Sequence, residues 1–338
     1  MNAMPAARTA LTAIAVLTLS LSAGTVSAAG STAVAATIAV DYPAKAIRLI
    51  VPYGVGGNAD LVARILGQRL GDSLGCQILV DNRPGAGGNV GAEIAARAAP
   101  DGYTLVIGTN THAGNMSLYR HSTYDLARDF NAVSFLGSTP VLLAVTPSLP
   151  IHSVADLIAL ARAKPGTLNY ASGGNGSSAH LTTELFKTMA NVNLVHITYK
   201  GAGGGLNEVI SGQVQLMFSS LTSLLPHVNS GRLRGIAMAS AQRVAIVSTL
   251  PTIAEGGLPG FESSLWNAVM VPAGTPQTLI ERLNSAIDRI MRNPEVIDHL
   301  RRQGFNATSK TRPEIQAYIK AEISKWAGVV KTAGIHTD

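Results

Sequence analysis

The chain has 338 residues, 46% of them hydrophobic and 14% charged, with 34 glycines; an average soluble protein is roughly 25% charged. That length suits two compact α/β lobes, each with its own core, better than a single domain. The net charge of +6 comes from scattered basic residues with only short pairs such as Arg301-Arg302, which excludes a nucleic-acid-binding stripe, and the single cysteine, Cys76, excludes an intrachain disulfide.

At the N-terminus, Arg8 gives a weak positive region and residues 10–23 form an apolar stretch broken only by Thr and Ser. Val26-Ser27-Ala28 then places small residues where a signal peptidase reads. Residues 1–28 are therefore expected to be a cleavable export signal, with Ala33-Val34-Ala35 as a second candidate site. The apolar run falls short of the roughly 20 residues that a spanning helix needs, which disfavours an uncleaved anchor. No cysteine near the cleavage site offers a place for a lipid. The mature chain is expected to be periplasmic. Cys76 opens the apolar run Ile78-Leu79-Val80, which predicts a buried, inert thiol.

Beyond residue 41, short apolar runs alternate with amphipathic segments, the pattern of an α/β fold. Strands are expected over 47–52, 77–81, 103–108, 141–146, 168–171, 194–199, 215–218, 234–239 and 266–271. A helix over 61–74 is stopped by Gly75, and Ser153 caps another over 154–163, with Asp156 reaching back. Thr275-Pro276, Asn293-Pro294 and Arg312-Pro313 each place a proline at a helix start. Residues 142–147 and 269–272 are both strands that end in proline and feed a helix, as two hinge strands would. The lobes then divide as 41–141 with 269–338, a discontinuous first lobe, and 142–268 as the second.

Three glycine-rich loops follow strands directly: Pro52 to Asp60, Ser172 to Ser178, and Tyr199 to Gly205. Each sets free backbone N–H groups at the positive end of a helix, which suits an anion. In open α/β sheets ligands gather at such strand ends. The first two loops contain neither Lys nor Arg, so N–H groups, hydroxyls and water would hold a carboxylate there. The residues expected to line the site are Tyr53, Gly54, Val55, Gly56, Gly57 and Asn58 of the first loop. Thr109 and Thr111 follow the third strand. Ser172, Gly174, Ser177, Ser178 and His180 come from the second loop, Tyr199 and Gly201 from the third, and Ser219 from a later strand end. Trp266, on an apolar strand, reads as core.

Other chemistries lack their motifs. The glycine runs at 85–90 and 201–206 miss the dinucleotide fingerprint at its sixth place. There is no P-loop and no nucleophile elbow. The eight histidines show no metal-binding spacing, so neither cofactor nor metal is expected. An α/β hydrolase using Ser177 or Ser178 with His180 is the alternative from another class, though proximity in sequence is weak evidence for a triad.

The chain resembles the Bug family, the receptors of tripartite tricarboxylate transporters. The resemblance runs through 47–60 (IRLIVPYGVGGNAD), 81–105 (DNRPGAGGNVGAEIAARAAPDGYTL), 170–181 (YASGGNGSSAHL) and 195–201 (VHITYKG). It continues through 212–218 (GQVQLMF), 250–261 (LPTIAEGGLPGF) and 271–276 (VPAGTP). It implies a type II periplasmic-binding-protein fold, two lobes joined by two crossover strands, with a small carboxylate held between them largely through water. It also implies delivery to integral membrane subunits, by a monomer with no catalysis of its own; an extracytoplasmic sensor is the alternative within that reading. Gly54-Val55, Ser219-Ser220 and Asn267 depart from the family pattern, and these departures bear on the ligand and leave the fold untouched. With Ser219-Ser220 in place of an acid, a mono- or dicarboxylate without an amino group is expected, since a buried ammonium needs an acidic partner.

Overall fold

The computed structural model describes residues 42–199 and 201–337. The expected export signal and Lys200 of the third glycine loop lie outside them. Strands β1 (Ile47–Val51), β2 (Ile78–Asn82) and β3 (Thr104–Thr109) run parallel, with β1 between the other two. Ile47, Leu49, Ile50 and Val51 are all fully buried, as a strand covered on both faces requires. Helices α1 (Asn58–Leu74), α2 (Asn89–Ala96) and α3 (Asn110–Leu118) accompany them. Gly75 ends α1 in the left-handed conformation, φ 66°, the stop expected of a glycine at that position.

Strand β4 (Phe130–Val145) follows, then α4 (Val154–Ala163), β5 (Asn169–Ser172), α5 (Ser178–Ala190) and β6 (Val195–Thr198). Next come α6 (Ala202–Ser211), β7 (Leu216–Ser220), α7 (Leu221–Asn229), β8 (Arg234–Met238) and β9 (Ser264–Pro272). The chain closes with α8 (Gln277–Met291), α9 (Pro294–Arg302), β10 (Asn306–Ala307) and α10 (Arg312–Ala333). The sheet order is β2-β1-β3-β9-β4-β7-β5-β6, with β8 and β10 also pairing β4.

Strand β4 is the pivot of this order. From Phe130 to Pro140 it pairs antiparallel with β9; from Val141 to Val145 it pairs with β7 and β8. One strand thus belongs to two groups of strands. The sequence suggested a strand only over 141–146, and the structure begins it at Phe130. Ser134, Gly137, Ser138, Thr139 and Pro140 hide its first half from an apolar pattern. Gly137 adopts φ 132° at a register shift, where a side chain would strike the backbone of Asn306. Pro140 falls where β4 changes partners, so its missing N–H is tolerated.

Helix α10 packs against α3, α5 and β4 and so touches both groups. Its core contact is a buried Glu322 whose Oε2 accepts from Trp266 Nε1 at 3.0 Å and from Trp326 Nε1 at 3.1 Å. Trp266 is core, as its strand suggested. The capping devices also appear. Ser153 Oγ accepts from Asp156 N at 3.0 Å, and the Asp156 carboxylate accepts from His152 N at 2.9 Å. Pro294 and Pro313 stand in the first turns of α9 and α10, and Pro276 at the cap position of α8. Cys76 is half-buried, with its thiol pKa raised by desolvation.

Candidate functional site

The turn after β1 is built around one carboxylate. Gly56 takes φ 84°, open only to glycine at low cost, and its N–H donates to Asp60 Oδ2 at 2.9 Å. Asp60, 2% exposed, also accepts from Arg64 Nε at 3.0 Å and from Asn82 Nδ2 at 2.9 Å. Asn82, the last residue of β2, donates as well to Tyr53 O at 3.0 Å. Burial alone would raise the Asp60 pKa, but the hydrogen bonds from Arg64, Gly56 and Asn82 outweigh it and hold the group below the usual carboxylate range. Gly57 caps α1 without a side chain. Val55, at the tip, is 74% exposed, and a Cβ on Gly54 would meet open space. Asn58 Oδ1 accepts from Thr139 Oγ1 of β4 at 2.8 Å.

The end of β3 meets this turn. Tyr53 OH and Thr109 Oγ1 are 2.5 Å apart, and burial pushes the Tyr53 hydroxyl pKa up. Thr109 caps α3 in a reciprocal box with His112 in the place usually held by Glu or Gln. The Thr109 N–H donates to His112 Nδ1 at 3.1 Å, leaving Nε2 to donate to Gly88 O at 3.3 Å. His112 is therefore neutral, its pKa lowered to about 4 by burial. Beyond the cap, Asn110 Nδ2 and Thr111 Oγ1 reach Ser178 Oγ at 3.0 and 3.2 Å. Leu181 of α5 packs where a side chain on Gly114 would stand.

The turn after β5 is held by stacked rings. Gly174 and Gly176 take φ 128° and 73°. Gly176 N donates to His180 Nδ1 at 3.1 Å, and Ser177 Oγ accepts from His180 N at 3.4 Å to cap α5. The His180 ring stacks on His196 at 4.2 Å and 7°, and His196 stacks on Tyr170 at 4.7 Å and 8°. His196 Nε2 lies 2.6 Å from Ser172 Oγ, which also bonds Gly174 N and O, each at 3.1 Å. Desolvation lowers both histidine pKa values to about 4, helped for His180 by Lys187 and for His196 by His180. The third loop lies against this one: Tyr199 N donates to Ser172 O at 3.0 Å and Gly201 N to Gly173 O at 3.3 Å.

Of the expected site residues, Tyr53, Thr109, Thr111 and Ser178 thus fall in one cluster, and Ser172, Gly174, Ser177, His180, Tyr199 and Gly201 in an adjoining one. Ser219, opposite Leu142 in β7 and half-buried, joins neither among the described residues. Sequence reasoning gave no role to Asn82 or His196, and took Asp60 only as the end of the first glycine loop. Asn82 and His196 reach the turns from neighbouring strands, at Val51↔Asn82 and Tyr170↔His196, and only that register would have revealed them.

The arrangement is poor for hydrolysis. Ser178 is held by Asn110 and Thr111, and Ser177 accepts from a backbone N–H; the His180 Nδ1 lone pair faces Gly176. Ser172 does meet an imidazole but is fully buried. Among the described residues no group of three or more His, Cys, Asp or Glu could hold a metal.

Comparison with known proteins identifies relatives. A family model described as "Tripartite tricarboxylate transporter family receptor" matches residues 62–335. Protein BugT of Bordetella pertussis (strain Tohama I) is 37% identical over 304 residues, 89% of this chain and 93% of that protein. Among solved structures, R. palustris Rpa4515 with adipate superposes with a TM-score of 0.79 at 39% identity, covering 88% of this chain and 99% of that one. MatC from Rhodopseudomonas palustris with bound malate gives 0.77 at 29% identity, covering 86% and 100%.

Proposed function

The chain belongs to the tripartite tricarboxylate transporter receptor family and shares the two-lobed α/β fold of periplasmic binding proteins, and on that premise we propose that it captures a small carboxylate between its lobes and delivers it to membrane partners. One observation carries the reading. The N-termini of α1, α3 and α5 converge through Tyr53, Thr109, Thr111 and Ser178. Three positive helix ends at one place form an anion site, and Arg64 at the first turn is already paired with Asp60. Carboxylates bound to Rpa4515 and MatC support the ligand class. The protein is proposed to be periplasmic, monomeric and without catalysis.

The lobes are proposed as 41–141 with 269–338, and 142–268. The change of partners in β4 after Pro140 supports the first boundary. Strand β9 pairs with β4 from Ser264 onward, which favours drawing the second boundary a few residues earlier. Thermal-shift and calorimetric titration against adipate, malate, glutamate and aspartate tests the function. Binding of a carboxylate without an amino group is the expected outcome. A response to glutamate or aspartate alone would overturn the ligand class.

A further inference from the structure

Asn267 stands apart from both hydrogen-bond networks. It lies within β9, 1% exposed, and its Nδ2 has no hydrogen-bond partner among the described residues. Two other side chains there carry a buried unmet atom, Asn115 and the half-buried His227. Asn115 is nonetheless anchored, since its Nδ2 donates to Gly87 O and Asn89 Oδ1 at 3.0 and 2.9 Å. His227 lies in the last turn of α7.

The strand register places Asn267 at the site. It pairs with Thr109 of β3 on one side and Gly137 of β4 on the other. Paired residues of antiparallel strands hold their side chains on the same face. The amide therefore stands beside Thr109, the cap of α3 and neighbour of the Tyr53 hydroxyl. On the other flank the place of a Gly137 side chain is taken by the Asn306 backbone and the Phe305 ring. Two residues along β4 on that face, Thr139 donates to Asn58 at the start of α1. Trp266, the preceding residue, faces the opposite side and meets Glu322. Asn267 thus lies between the starts of α1 and α3, level with the end of β3.

A buried amide N–H without an acceptor is disfavoured unless something supplies one. The two flanking helix starts attract an anion, and the oxygens of an anion are acceptors. We propose that Asn267 is a specificity-determining residue of the ligand site, its Nδ2 donating to an oxygen of the bound carboxylate. With Nδ2 facing the ligand, an ammonium offers it no lone pair and would leave it unmet, so in that orientation the residue selects an oxygen-bearing ligand over an amino-bearing one at that point. This inference rests on the reading of the site as a carboxylate receptor.

The test is calorimetric titration of wild type, Asn267→Leu and Asn267→Asp with adipate, malate and glutamate, beside thermal melts of the ligand-free proteins. Asn267→Leu keeps the size and removes the donor. It should bind the responding carboxylate about tenfold more weakly. Its ligand-free melting temperature should hold or rise, because an unmet polar group gives way to an apolar one of similar shape. Asn267→Asp sets a negative charge beside the ligand and should lose about a hundredfold. Wild-type affinity in either variant would mean that solvent meets the amide, and would overturn the inference while leaving the receptor reading intact. A weaker Asn267→Leu whose ligand-free form also melts lower would point to a structural role, and unchanged affinity in Asn267→Asp would then decide against the proposal. No binding by wild type to any of the three would overturn the receptor reading and this inference with it.

Discussion

The turn after β1 and the turn after β5 look alike in sequence, each a glycine run between a strand and a helix. The first is held by charge, through a buried Asp60 that gathers Gly56, Arg64 and Asn82. The second is held by neutral rings, His180 on His196 on Tyr170, with Ser172 as the hinge of the loop. In both, the holding residue comes from an outermost strand of the sheet path, Asn82 from β2 and His196 from β6. Glycines decide where such a turn can form; a side chain from the next strand decides its shape. The two turns should therefore fail under different conditions.

The largest effect is expected from Asp60→Ala. It strips three partners from a buried carboxylate, and hydrogen bonds to charged groups contribute more than neutral ones. Relief of the carboxylate's own desolvation and rehydration of the half-exposed Arg64 offset part of this. A loss of about 3 kcal/mol follows, read by urea unfolding. A loss below about 1 kcal/mol would mean that the glycines hold the turn unaided. The matching pH dependence lies at the acid end. The Asp60 pKa is depressed in the folded state, so its contribution is present above the unfolded value and vanishes as pH falls through the folded one, below about pH 4.

The second turn should weaken earlier. His180 and His196 have folded pKa values of about 4 against an ordinary 6.5. The unfolded chain binds more protons between those values, so stability is full above about pH 6.5 and falls toward pH 4. For the buried His180 the loss by pH 5 is on the order of 1 kcal/mol. His112 falls in the same window, so the assignment needs variants. His180→Gln should make the pH profile of unfolding shallower, with His196 and His112 keeping the rest of its slope, whereas Asp60→Asn should leave the slope between pH 6.5 and 5 unchanged. The reverse pattern would mean that the roles of the two turns have been exchanged.

Most of this frame was legible in the sequence, because β1, β2, β3 and β8 carry short apolar runs bounded by Gly, Pro or polar residues. The first two glycine loops fall where expected, whereas Ala202 to Gly205 of the third run already lie in the first turn of α6. What stayed hidden depends on strand register and on polar burial. Helix α3 carries Asn110, Thr111, His112 and Asn115, all buried, and so shows no apolar stripe. The first half of β4 has its apolar residues broken up by Asn131, Ser134, Gly137 and Pro140. Asn82 and His196 are distant in sequence from the turns they hold, and a single polar residue near a strand end announces no partner.

The smallest expected effect compares the two helix starts directly. Ser177 caps α5 with a long 3.4 Å bond, whereas Gly57 leaves α1 without a side-chain cap. Ser177→Gly should cost only a few tenths of a kcal/mol, roughly 0.3, since glycine is tolerated at a cap. The mirror change, Gly57→Ser, meets no obstacle: the backbone is extended at φ −77° and ψ 168°, and the new Cβ would lie 3.6 Å from Gly54 O. A serine there should gain about 0.5 kcal/mol by bonding a first-turn N–H of α1. That N–H is one that an anion would otherwise use, so carboxylate affinity should fall as stability rises, an inverse change that simple capping does not produce. Calorimetry and urea unfolding on the same two variants read both quantities. If Gly57→Ser gains stability and keeps its affinity, the α1 turn does not hold the ligand through its helix start, and the comparison survives only for the second turn.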